Sequence, residues 1–453
     1  MKNKNQDMLH GPLLINIVRY TVPVILTTIL QLLFNAADLV VVGRYCGSIS
    51  LGAVGATGAV TSLIVNMFIG LALGIGVTTA HAYGAREEEN VHRTIHTALP
   101  TALISGVFLT IVGLSFCEPL LRLLGTPEEV LPLSANYLRI YFGGITFTMI
   151  YNFTAAILRA VGDTKSPLVF LTIAGVANVV LNVIFVTQLN MNVGGVALAT
   201  VISQAISALL TIWALMRRTD ASRLYLKKMR IYKAQLLKIL RIGIPAGVHS
   251  SLFAIANMSI QSSINSFGEV FMSGNAAAAN IEGFVAVFST GFYQSVVNFV
   301  GQNMGARQHS RAKKTLFICL ACGACCTLVT STLAYTFGRS LLSIYINDSA
   351  QAIEYGMIRM GIVGLFWFIA SLMDITTGGL RGMGASTVPM VISVLGVCGL
   401  RLFWIYTIFN QDAFHTPQWL YFTYPMTWVI TFIAQVIAFL IVFRRKTSGL
   451  SQL

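Results

Sequence analysis

Apolar runs of eighteen residues or more, separated by short polar breaks, recur from one end of the chain to the other. Each is long enough to cross the ~30 Å hydrocarbon layer of a bilayer as a helix. Twelve spans are predicted, at 16–43, 51–80, 94–116, 132–157, 165–187, 193–216, 238–266, 275–300, 315–337, 355–380, 388–410 and 418–443. The first is too long for a signal peptide and lacks a small-residue cleavage site, so it is expected to stay in the membrane. The fold class expected is an all-α membrane protein.

The pattern repeats. "ILRAVGDTKSP" from Ile157 returns as "GLRGMGASTVP" from Gly379, 222 residues later, and "YGAREEE" from Tyr83 returns as "MGARQHS" from Met304, 221 residues later. "VPVILTTILQLLFNA" from Val22 is answered by "IPAGVHSSLFAIANM" from Ile244, which pairs Pro23 with Pro245 and Asn35 with Asn257. Three matches in one order at a nearly constant offset predict two six-helix lobes, 1–216 and 238–453, joined by a basic cytoplasmic linker at 217–237. Six is even, so both lobes start on the same side. A pseudo-two-fold axis along the membrane normal is expected, with a cleft near the midplane suited to alternating access.

Composition agrees with this class and then locates its ends. Charged residues are 10% of the chain and hydrophobic residues 55%, against about 25% charged in soluble domains. The net charge of +14 would suit nucleic acid, but its placement reports topology instead. With a cytoplasmic N-terminus, the inner side holds 24 of the 30 Lys and Arg, including nine from Arg217 to Arg241. Arg44, Arg122 and Arg339 lie in outer loops, and Arg139, Arg359 and Arg401 fall within spans. The positive-inside rule then puts both termini in the cytoplasm. Of seven cysteines, "CLACGACC" holds Cys319, Cys322, Cys325 and Cys326. They run along one helix, which cannot close a tetrahedron around zinc, and they read as small core residues. His81, His92, His96, His249 and His309 gather towards the inner side without metal-ligand spacing.

The chain resembles the multidrug and toxic compound extrusion (MATE) family, on "ADLVVVGR", "LRAVGDTKSP", "LRGMGASTVP" and "FVGQNMGARQHSRAKK". The similarity runs from about Pro12 to Arg445, and both copies of the repeat carry it. It implies twelve helices in two lobes and export driven by protons or sodium ions, closest to the bacterial branch that exports cationic drugs.

Candidate chemistry centres on an acid in the first span. Asp38 lies five residues before Gly43, about 7–8 Å inside the outer end at 1.5 Å per residue. Gln31, Asn35 and Asp38 share one helix face at i, i+4, i+7. Ionisable groups in spans are costly and usually functional, so this face is expected to look into the protein. Asn178 and Asn182 share a face of the fifth span, and Thr200 lies at similar depth on the sixth. The positions matching the family's N-lobe cation site are Asp38, Asn178, Asn182 and Thr200. Several proton-coupled relatives have an aspartate where this chain has Asn182, so the site holds one carboxylate, able to take a proton or a sodium ion.

In the second half, Glu282 in "NIEGFVAVF" and Asp374 in "SLMDITTGGLR" are candidates for a cationic cargo or a second cation, or for pairing with a neighbouring amide or Arg. With Gln31 and Asn35, the stripe Asn257, Gln261 and Asn265 on the seventh span is expected to face the cleft. Sixteen Met and 27 Phe offer an adaptable surface for flat apolar cations. Pro23 and Pro245, well inside spans, are candidates for helix bending.

No GxxxxGK[ST], GxSxG or HExxH pattern is present, so neither ATP hydrolysis nor these hydrolase chemistries is expected. The expected function is secondary active multidrug export: cationic amphiphilic compounds move outward against proton or sodium entry. No cofactor and no nucleic acid is called for. The partners are small organic cations and membrane lipid, and the protein is expected as a monomer. A flippase for lipid-linked sugars is the alternative in the same superfamily, but acids within spans favour cationic cargo.

Overall fold

Every long apolar run forms a helix in the computed structural model, which describes residues 6–346 and 349–448. Ten single helices are long and apolar enough to cross a membrane, and two bent pairs complete a set of twelve. The first to third helices are Leu13–Tyr45, Ser48–Gly84 and Glu88–Leu123. The fourth is Leu131–Gly143 with Ile145–Ala160, bent by 50°. The fifth to ninth are Lys165–Thr187, Asn192–Met216, Lys233–Asn265, Glu269–Gly305 and His309–Thr336. The tenth is Ala350–Gly364 with Trp367–Gly382, bent by 42°, and the last two are Thr387–Thr407 and Pro417–Ser448. The second and eighth helices have 37 residues each, roughly 55 Å at 1.5 Å per residue. They outrun the hydrocarbon layer, and their ends stand in water.

The sequence repeat is also a repeat of backbone geometry. Arg86 and Arg307 of the two "GAR" motifs both have φ 57°, an uncommon left-handed conformation for a non-glycine residue. Each closes a helix: the Glu87 amide bonds Ala82 O at 3.0 Å, and the Gln308 amide bonds Asn303 O at 2.8 Å. Gly162 and Gly384, the glycines of "LRAVG" and "LRGMG", sit at φ 94° and 77° in matching turns. There the Asp163 and Ala385 amides bond Leu158 O and Leu380 O at 2.8 and 3.0 Å. Both are helix ends of the type in which a left-handed residue lets orphan carbonyls find donors. Gly47 and Gly268, at φ 86° and 90°, open the second and eighth helices alike.

The chain divides into two units, 1–8 with 22–247 and 9–21 with 248–453. This differs from the division expected at 1–216, 217–237 and 238–453. The start of the first helix goes with the second unit because Thr21 Oγ1 hydrogen-bonds Ser295 Oγ at 2.6 Å and Tyr20 meets the edge of Phe299. The start of the seventh helix goes with the first unit through glycines. A Cβ on Gly70 would lie 2.3 Å from Gly247 N, and one on Gly74 would lie 2.3 Å from Ile239 O. Small residues four apart on each helix, Gly70 with Gly74 and Gly243 with Gly247, let the two backbones touch.

The divisions fall beside the two prolines, after Thr21 and after Gly247. Both helices continue through Pro23 and Pro245. Thr27 Oγ1 donates to Pro23 O at 2.7 Å and Thr28 Oγ1 to Val24 O at 3.1 Å. Hydroxyls bonding back by one turn bend helices, and they do so next to the turn where proline has removed an N–H.

The basic linker lies against the start of the third helix. The Tyr225 amide donates to His96 Nε2 at 3.0 Å, and His96 Nδ1 bonds His92 O at 2.7 Å, which gives His96 a structural place. The Tyr232 amide donates to Thr97 Oγ1 at 3.1 Å, and Gln235 bonds Asn90 at 2.9 Å. The seventh helix therefore starts at Lys233, inside the expected linker. Arg218, 3% exposed, bonds Asp220 at 3.0 Å. Burial works against ionisation of Asp220, but hydrogen bonds from Arg218 and Ser222 outweigh it and hold its carboxyl below the usual 3.8. A depressed folded value contributes stability above the unfolded pKa, lost as pH falls through the folded value. Asp220→Asn should therefore cost about 2 kcal/mol at neutral pH. It should speed tryptic cleavage at Arg223, Lys227 and Lys228 several-fold, whereas the wild-type linker should loosen only in acid below the usual aspartate range.

Candidate functional site

Asp38 has partners from other spans. Asn182 Nδ2 on the fifth helix donates to Asp38 Oδ1 and also reaches Asn178 Oδ1 at 3.3 Å. Asn178 Nδ2 reaches Thr200 Oγ1 on the sixth helix at 3.5 Å, and that hydroxyl donates to Val196 O at 2.9 Å. The four residues predicted for the cation site thus form one chain of polar contacts within the first unit. Asn178 and Asn182 are buried at 4% and 0% exposure. Asp38 is half-buried.

Local packing sets this register. One turn before Asp38, the Phe34 ring sits where a Cβ on Gly175 would be, 1.8 Å from Phe34 Cε2. The first and fifth helices touch there, and one turn on in the first helix and two turns on in the fifth bring Asp38 to Asn182. Further along, Val41 and Val42 pack with Val186, Val193 and Val196 in an apolar cluster that closes over the polar residues. Tyr137 on the fourth helix packs against this cluster, and its phenol interacts with both Thr200 and the Asp38 charge. It was missed from sequence, because a tyrosine near the end of an apolar span reads equally well as an interfacial residue.

Asn182 Oδ1 is buried and has no hydrogen-bond partner among the described residues. Buried side-chain acceptors are ordinarily satisfied. Here an unsatisfied one sits on the amide that binds the carboxylate. Hard oxygen donors of this kind suit a proton or a small hard cation such as sodium.

Gln31 and Asn35 are exposed and lie outside this chain of contacts. On the seventh helix, Gln261 Nε2 donates to Asn265 Oδ1 at 2.9 Å, and Asn257 and Gln261 are exposed.

The acids of the second unit are engaged by the protein itself. Glu282, 3% exposed, meets the Arg359 guanidinium from two sides: Nη2 donates to Oε2 at 2.7 Å and Nε to Oε1 at 3.1 Å. Arg359 Nη1 donates to Asn275 Oδ1 at 2.7 Å, and Tyr421 Oη donates to the same oxygen at 3.1 Å. Of the two readings expected for Glu282, an acid for cargo or a second cation and an acid paired with a neighbouring amide or Arg, the geometry matches the second: a buried guanidinium pairs with it. Asp374 accepts from Ser289 at 3.3 Å. Arg381, one helix face further on, bonds Tyr293 at 2.7 Å and His249 Nδ1 at 3.1 Å. Glu282 and Asp374 therefore belong to separate networks. The pairing of Glu282 with Arg359 across 77 residues is the feature that helical periodicity could not supply.

The sequence profile of the MatE family matches residues 23–184 and 245–407, one match in each half. Among curated relatives, the probable multidrug resistance protein YoeA of Bacillus subtilis is 27% identical over 392 residues, covering 84% of each chain. The FAD transporter of Shewanella oneidensis is 25% identical over 366 residues, covering 78% of this chain and 79% of its own. A solved outward-facing multidrug resistance MATE family transporter of the MOP superfamily superposes with a TM-score of 0.89 at 22% identity, covering 100% of both chains. The expected twelve-helix fold is that of solved MATE transporters, and the residues matched by the family profile fill most of both halves. This chain is a multi-pass membrane transporter of the MatE family and not an enzyme.

Proposed function

We propose that this transporter exports organic cations across the bacterial cytoplasmic membrane in exchange for one proton or sodium ion entering at Asp38, Asn178, Asn182 and Thr200. The observation that carries this reading is a carboxylate inside a span, hydrogen-bonded by an amide from another span whose own oxygen lacks a partner. The basic inner loops support cytoplasmic termini, which makes the Asp38 end of the first helix the outer one. An ion arriving from outside then meets the site first. Its binding neutralises the Asp38 carboxylate, and this favours release of the cargo outward. The membrane potential contributes about 2.3 kcal/mol per entering charge per 100 mV.

Bending of the first helix at Pro23, with Pro245 as its repeat counterpart, is the proposed mechanical element. Relatives named for multidrug resistance favour export of organic compounds over flipping of lipid-linked sugars. One relative is named an FAD transporter, so the cargo class is tested and not assumed.

The test is efflux of a fluorescent organic cation from proteoliposomes with proton and sodium gradients imposed independently. The proposal expects one inward gradient to accelerate efflux and the other to have no effect. Efflux indifferent to both gradients would remove antiport.

A further inference from the structure

The second unit carries a buried guanidinium without a counter-charge. Arg401, on the eleventh helix, is 2% exposed. Its Nε donates to Thr427 Oγ1 at 3.2 Å, and its Cζ lies 4.2 Å from the Tyr424 ring centroid and 5.9 Å from that of Trp428. No carboxylate pairs with it among the described residues. Among the described residues Arg359 acts on it as a second cation, and Glu282 is already held by that residue. The cluster of Glu282, Arg359 and Arg401 therefore has one positive charge in excess. A buried charge is costly unless it is paired and hydrogen-bonded, and ring stacking offsets only part of that cost.

Stacking also dictates what can approach. A guanidinium lying on an aromatic face keeps its N–H groups in its own plane. Nε is taken by Thr427. Neither Nη of Arg401 has a protein acceptor among the described residues, in contrast to Arg359, whose three nitrogens all donate. Two in-plane Nη groups match a carboxylate or phosphate.

The position agrees. Arg359 follows Tyr137 by 222 residues and Arg401 follows Asn178 by 223. At the offset of 222 the second unit thus has one guanidinium at the counterpart of Tyr137 and the other one residue past the counterpart of Asn178. Each arginine borders a widened helical turn, Met360–Gly364 after Arg359 and Val394–Gly399 before Arg401. Such turns concentrate at functional sites in helices.

The geometry points to Arg401, Thr427, Tyr424 and Trp428 as a site for the oxyanion group of a transported aromatic molecule. The repeat has diverged into an acid-bearing pocket in one unit and a guanidinium-bearing pocket in the other. Cargo carrying a carboxylate or phosphate on a flat ring system is then accepted as well as cationic cargo. The inference does not depend on cation coupling at Asp38.

Riboflavin and riboflavin 5′-phosphate test it, since they share a fluorescent ring and differ by one phosphate. Binding to the purified full-length protein is read by flavin anisotropy, with Arg401→Gln and Arg401→Lys beside wild type. The wild type should bind the phosphate ester about tenfold more tightly than riboflavin, as a charge-assisted contact implies, and inorganic phosphate should compete. Arg401→Gln should bind both flavins equally, and Arg401→Lys should keep part of the preference. A wild type that binds both flavins equally overturns the proposal even if Arg401→Gln fails to fold. A folded Arg401→Gln that keeps the full preference overturns it too. So does affinity for the ester that falls in step with added phosphatidylglycerol, which would assign the site to a lipid headgroup.

Discussion

Asp38→Asn should leave a folded transporter whose gradient-driven efflux falls by about two orders of magnitude, the 1.5–3 kcal/mol of about one charged contact. The substitution keeps the shape of the side chain and an oxygen that can still accept from Asn182 Nδ2. The Phe34 seat on Gly175 and the valine cluster beyond it do not involve the charge. Folding and thermal stability should therefore change little. What is lost is the ability to exchange a negative for a neutralised site. Exchange of labelled cargo at equal concentration on both sides, which needs no coupling ion, should persist. Loss of both activities together would mean that Asp38 holds cargo or structure and does not couple.

The second large effect is one of stability. Glu282→Gln leaves the Arg359 guanidinium buried without a counter-charge, beside Arg401, which already lacks one. Breaking a buried pair from one side costs about 3–5 kcal/mol. The midpoint of thermal unfolding, followed by fluorescence of Trp428 and its neighbours, should drop sharply. Glu282→Leu combined with Arg359→Met removes both charges and should recover most of the loss, because buried pairs often exchange for apolar residues at little net cost. If Glu282→Gln is as stable as wild type, then Glu282 is not paired as described and returns as a candidate for cargo. The coupling energy from the full double-mutant cycle measures the interaction directly.

Most of the fold was legible because apolar run length states where a helix lies. The site in the first unit was legible for a related reason. Asn178 and Asn182 are polar residues spaced to share a helix face, where lipid would reject them, whereas Gln31, expected on the face of Asp38, is exposed. Periodicity says which residues share a face, however, and not what that face meets. Glu282 and Asp374 looked alike as acids within spans, yet one has a guanidinium on both oxygens and the other a serine hydroxyl. Tyr137 carried no sign of its place beside Thr200, because its hydroxyl is informative only once its neighbours are known. The same limit applied to Gly175, whose missing side chain matters through Phe34 on another helix. The widened turns beside Arg359 and Arg401 left no compositional trace either. The split of the first helix after Thr21 was half visible: Pro23 marked the weak turn, but the contact of Thr21 with Ser295 lies 274 residues away.

Ion movement measured together with cargo movement tests the central claim most directly. Proteoliposomes are loaded with a fluorescent organic cation, and entry of protons or radiolabelled sodium is recorded as the cargo leaves. The account predicts cargo-dependent entry of one of these ions in the wild type and none in Asp38→Asn. Equal ion entry through the two proteins would contradict it.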